Sequence, residues 1–186
     1  MATPLFGTNF VLSNQDALLV PKSSDFVQKL SGELFEKTGF ALYVVVANLE
    51  GGATASQKRK QFKEEFLHKL QTPYGVVFMI PSHQKIDIVL SPHFADIDTR
   101  RIIYQFMVKI LMQQKDLTPQ IISASLLNGY AQLADEIARH YGVQLEGNAI
   151  VDSSGVSDYV HYSLYVMLGL PIMLILYIYC TRRRDE

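Results

Sequence analysis

Apolar residues recur along this chain at two spacings, and the spacing separates helices from strands. Phe26, Val27, Leu30, Leu34 and Phe35 fall on one face of a helix that Ser23, Ser24 and Asp25 are placed to cap and Gly39 to end. Residues 40–47 (FALYVVVA) are β-branched and aromatic, too few and too apolar for a surface helix. They predict a central strand covered on both faces. After Gly51 and Gly52, residues 56–71 put Phe62, Phe66, Leu67 and Leu70 on one side and lysines and glutamates on the other, the pattern of a solvent-backed helix. Residues 74–80 (YGVVFMI) and 85–90 (KIDIVL), separated by Pro81, Ser82, His83 and Gln84, predict a β-hairpin. Its second strand alternates, so Ile86, Ile88 and Leu90 share one face and Asp87 takes the other.

Ile102, Ile103, Phe106, Met107, Ile110 and Leu111 return to helical spacing behind an N-cap at Asp98 and Thr99. Thr118 and Pro119 open a last long helix to about Tyr141, with Ile122, Leu126, Leu133 and Ile137 toward the core and Gly142 closing it. The order α-β-α-β-β-α-α implies an α/β fold, a small layered domain with a central β-sheet flanked by helices. It occupies residues 1–141. A Ser-, Gly- and Asp-containing tether covers 142–158.

The pattern then changes scale. Residues 159–180 carry no charge, long enough to cross the ~30 Å hydrocarbon core as one transmembrane helix. Tyr159, Tyr162 and Tyr165 crowd one end and Tyr177 and Tyr179 the other, where amphipathic rings sit at membrane interfaces. Residues 181–186 form a short basic tail around Arg182, Arg183 and Arg184. No Lys or Arg lies between Arg139 and Arg182, a bias that favours a cytoplasmic tail and a domain outside the cytoplasm. The first ten residues do not read as a secretory signal, which leaves a tail-anchored orientation with a cytoplasmic domain as the alternative. The expected location is the inner (plasma) membrane, single-pass, with the lipid bilayer itself as one partner.

Composition narrows the chemistry. Lys and Arg number 17 against 18 Asp and Glu, with no basic stripe to follow a phosphate backbone, so nucleic acid is not an expected partner. The one cysteine, Cys180, ends the apolar run. The domain therefore holds no disulfide, thiolate metal site or cysteine nucleophile. No P-loop, dinucleotide fingerprint or zinc spacing occurs.

Several landmarks in order, from about Leu12 to Tyr141, resemble a TPM domain, a family of small α/β modules found in bacterial envelopes and thylakoids and often anchored by a C-terminal membrane helix. Val11 to Leu19 (VLSNQDALL) is similar to the family's acidic start, and Glu36-Lys37-Thr38-Gly39 to the signature before its next strand. Residues 74–80 resemble the Asp-Asn-Gly-Val strand, with Pro73 and Tyr74 in place of the acidic pair. Ile88-Val89-Leu90 running into residues 96–103 resembles the strand and acidic turn that open the following helix, with Ser91-Pro92-His93-Phe94 in place of a glycine-aromatic-glycine turn.

The resemblance implies divalent-cation binding and, in some members, phosphatase activity. Asp16, Asp96 and Asp98 are the matching acidic positions, and together they would offer oxygen ligands to Ca²⁺ or Mg²⁺. Asp98 is also accounted for as a helix cap and Asp96 as a solvated turn residue. His83 and His93 bracket the second hairpin strand as further candidates, and no serine sits in a nucleophile elbow. The expectation is a membrane-anchored binding module that assists assembly, maintenance or quality control of a membrane protein complex. The alternatives are a metal-dependent phosphatase and an accessory subunit of one respiratory or transport complex.

Overall fold

Ala41–Val46 is buried at every position and forms strand β2, which has a neighbour on each side. The computed structural model describes residues 9–51, 56–113 and 116–147. Along the chain these form β1 (Val11–Asn14), α1 (Pro21–Thr38), β2, α2 (Ser56–Leu67), β3 (Tyr74–Ile80) and β4 (Lys85–Ser91). Then come α3 (Thr99–Ile102), a π-helical turn (Ile103–Val108), α4 (Lys109–Met112) and α5 (Pro119–His140). The sheet order is β1-β2-β3-β4, with the first three strands parallel and β4 antiparallel to β3. The mixed α/β class, the hairpin and the central place of β2 agree with the sequence pattern. The expected membrane span at 159–180 and its basic tail lie outside the described residues, as does all but the first part of the tether. No helix among the described residues is long and apolar enough to cross a membrane.

Two local readings change. β1 is a strand where none was expected: it is four residues long, sits at the sheet edge, and its register slips between Val11 and Ser13. So short a segment carries no alternation to read. Helix α1 begins at Pro21 rather than behind Ser23, Ser24 and Asp25, and Ser23 is buried inside it. Proline suits the first helical position because its missing N–H would go unused there. Gly39 ends α1 at φ 73°, where a side chain would be strained.

Register decides which side chains share a face. Met79 stands opposite Ile86, and both line a groove with Ile122 of α5. Phe78 stands opposite Asp87 and points the other way: its ring lies 6.4 Å from Phe66 of α2, and Asp87 pairs with Lys63 of α2 at 3.2 Å. Helices α5 and α2 therefore cover opposite faces. Helix α1 packs beside α5, where the Val20 N–H donates to Ser123 Oγ at 2.9 Å and Ser31 bonds Tyr130. The β1-α1-β2 and β2-α2-β3 crossovers thus advance in one direction over opposite faces. They have opposite hands, so one departs from the usual right-handed rule.

Helix α5 is the common seat. Leu42 lies two residues before Val44, whose N–H bonds Phe10 O where the β1 pairing begins, so the Leu42 carbonyl has no strand partner on that side. Tyr130 OH donates to it at 2.7 Å. Burial pushes the Tyr130 phenol far above its ordinary range, so it stays protonated and able to donate. The π-helical turn rests on the same helix: Ser125 Oγ donates to Met107 O and Asn128 Nδ2 to Phe106 O, each at 2.9 Å. Gly129 admits this contact, because a Cβ there would lie 2.2 Å from Met107 Cγ.

Gly129→Ala is expected to destabilise the domain by about 1–3 kcal/mol through overpacking. In urea denaturation, Gly129→Ala combined with Met107→Ala should cost less than the two single losses added together. Simple additivity would show that the two positions do not compete for space.

Candidate functional site

Open parallel sheets bind ligands beyond the carboxyl ends of their strands, at the point where successive connections leave for opposite faces. Here that point lies between β1 and β2, since α1 goes to one face and α2 to the other. The β1–α1 turn is held by Asn14, the last residue of β1. Its Nδ2 donates to Leu19 O and its Oδ1 accepts from the Leu19 N–H, both at 2.8 Å. Between these anchors Asp16 and Ala17 take φ values of 55° and 49°, a left-handed conformation unfavourable for residues with a side chain. The clamp from Asn14 offsets that cost.

Asp16 is exposed, and its Oδ2 accepts from Asn48 Nδ2 at 3.1 Å. The other end of the Asn48 amide accepts from the Ser82 N–H at 3.2 Å. Ser82 Oγ accepts from the Leu49 N–H at 2.8 Å and donates to Leu49 O at 3.1 Å. The segments that follow β1, β2 and β3 are thereby tied into one polar network that includes the exposed Asp16 carboxylate. Such a network presents hydrogen-bonding groups in fixed positions.

Asp96 and Asp98 stand elsewhere. β4 starts at the edge where Asp16 lies and runs antiparallel for seven residues, roughly 20 Å, before the chain reaches them. The structure brings Asp96 and Asp98 near each other and leaves Asp16 at the opposite end of the sheet. The three are not brought together, and among the described residues no group of three His, Cys, Asp or Glu side chains is placed to hold a metal ion. Asp98 caps α3 by accepting from the Arg101 N–H at 3.0 Å. Asp96 accepts from His140 Nδ1 at 2.8 Å, and this bond holds its carboxyl below the usual carboxylate range. The His140 ring also lies 4.3 Å from that of Phe94, which is buried in the core together with Ile97.

Of the two candidate histidines, His93 is exposed and His83 is not. His83 is only 1% exposed inside the Pro81–His83 turn, and Arg59 approaches its Nδ1 at 3.4 Å. Arg59 can only donate, so Nδ1 accepts and Nε2 carries the ring proton when the imidazole is neutral. His83 Nε2 has no hydrogen-bond partner among the described residues. A turn histidine in sequence is a buried anchor in the fold. Asn14, Asn48 and Ser82 were not legible as site residues, since isolated amides and hydroxyls in loops carry no spacing signal. Asn14 and Asn48 stand just beyond apolar runs, and that position is the only hint. No protein-family model and no curated protein matches this chain.

Asn14→Ala removes both bonds of the clamp and is expected to cost about 1–3 kcal/mol. Amide exchange should accelerate first at Leu19, and uniform acceleration across the domain would refute a local clamp. The Asp96 carboxyl is depressed in the folded state, so the stability it contributes is present above about pH 4 and is lost as pH falls through the folded value. The stability gap between wild type and Asp96→Asn, measured by urea denaturation, should therefore narrow below about pH 4. A gap that is constant with pH would remove the His140 bond as its cause.

Proposed function

We propose that the chain is a membrane-anchored, TPM-like binding module that assists the assembly, maintenance or quality control of a membrane protein complex. The observation that carries the binding part is the network at the strand ends, where Asn14, Asn48 and Ser82 hold an exposed Asp16 in a strained turn. Strain retained at an exposed turn is a mark of a site kept for contact. The anchor rests on the uncharged run at 159–180 and on the arginines behind it, which favour a cytoplasmic tail and an external domain. A domain on a tether meets neighbours in the same membrane at high effective concentration, so modest contacts suffice.

The phosphatase reading draws less support. Phosphoryl transfer needs charge-stabilising groups gathered on one centre, and Asp16 is parted from Asp96 and Asp98 by the length of β4.

Full-length chain should stay with membranes after an alkaline carbonate wash, whereas a chain ending at residue 150 should not. Protease added to intact spheroplasts should cleave the domain. Carbonate release of the full chain would sink the anchor, and protection in spheroplasts would sink the external placement.

A further inference from the structure

A groove of about 410 Å³ opens on the side of the Pro81–His83 turn that Pro81 and Gln84 face. It opens between the hairpin turn, α4 and the start of α5. Its body is apolar, formed by Met79 and Ile86 of the hairpin, Val108 and Leu111 of the helix and Ile122 of α5. Its polar side chains, Gln84 and Lys85, are adjacent and exposed at one end. Met112, 81% exposed, and Leu117 form apolar lips that water covers at a cost. One wall begins in the π-helical turn, an irregularity frequent at functional sites. A groove of this size with an apolar body and few polar groups suits a small ligand.

Charge selects the class. Lys85 is the one charged side chain among the residues that line the groove. Asp87, next to the lining residue Ile86, turns to the opposite face and pairs with Lys63. Asp116 is exposed beside the lining residue Leu117. We propose that the groove binds a single-chain acyl carboxylate, with the hydrocarbon chain against Ile86, Leu111 and Ile122 and the carboxylate on the Lys85 ammonium. Met79 and Met112 have unbranched side chains that can repack around chains of different length. The site stands on its own geometry and does not depend on the role proposed for Asp16.

The test uses the full chain in phosphatidylcholine vesicles, irradiated with a diazirine derivative of lauric acid and mapped by peptide mass spectrometry. Labels should concentrate in residues 79–86 and 108–122. Excess laurate should remove them, while dodecanol and dodecyltrimethylammonium should not. Lys85→Gln should lower groove labelling about fivefold, the size expected for losing one partly exposed ion pair. Lys85 is exposed, so circular dichroism should show this variant folded as wild type. Labelling spread evenly over the chain, equal competition by dodecanol, or labelling unchanged in Lys85→Gln would overturn the assignment. Crosslinks joining two copies of the chain at these same residues would also overturn it, giving the groove to a second copy.

Discussion

The fold depends on α5, whose polar side chains donate to backbone carbonyls of the sheet and of the π-helical turn. A buried carbonyl without a donor costs about 1–3 kcal/mol, and α5 supplies donors to three. Tyr130 serves Leu42 of the sheet, and Ser125 and Asn128 serve Met107 and Phe106 of the turn. These groups lie on a helix that also bonds α1 through Ser123 and Tyr130. Gly129 is what lets α5 approach so closely, since a Cβ there would lie 2.2 Å from Met107 Cγ and hold the turn off. Apolar burial supplies most of the stabilisation in such a core. The directional bonds decide which helix sits where.

The placement of α1 and α5 on one face leaves the other to α2, and this asymmetry creates the strand-end crevice. Had both crossovers used the same face, the segments after β1 and β2 would run side by side and Asp16 would be covered. Instead they part, and Asn48 bridges the gap with one amide, donating to Asp16 and accepting from Ser82. The reversal at β4 has the opposite effect on the remaining acids. It carries Asp96 and Asp98 to the far edge, where each has a local partner in His140 or in the Arg101 backbone N–H.

The sequence pattern carried the central strand, the hairpin and the long helices, because residues 40–47, 74–90 and 118–141 have burial patterns that local spacing reports. The caps at Asp98 and Thr118 and the stop at Gly39 were legible for the same reason: each acts within a few residues. Contacts between distant segments were not. β1 exists because it pairs with β2, and its Val-Leu-Ser-Asn shows no periodicity of its own. The π-helical turn was hidden inside a normal helical pattern, since its cause is Ser125, Asn128 and Gly129 on another helix. The acidic trio is divided between the two ends of β4 for a topological reason, as spacing along the chain says nothing of which end of an antiparallel strand a residue reaches.

The Pro81–His83 turn borders both the strand-end network and the groove. On one side Ser82 fixes Leu49 and Asn48, and through Asn48 the Asp16 turn. On the other, Pro81 and Gln84 line the groove, with Gln84 held at φ 50°. Buried His83 pins the turn to Arg59 of α2. The three residues of the turn thus divide their work: Ser82 bonds the segment after β2, Pro81 faces the groove and His83 anchors both to α2.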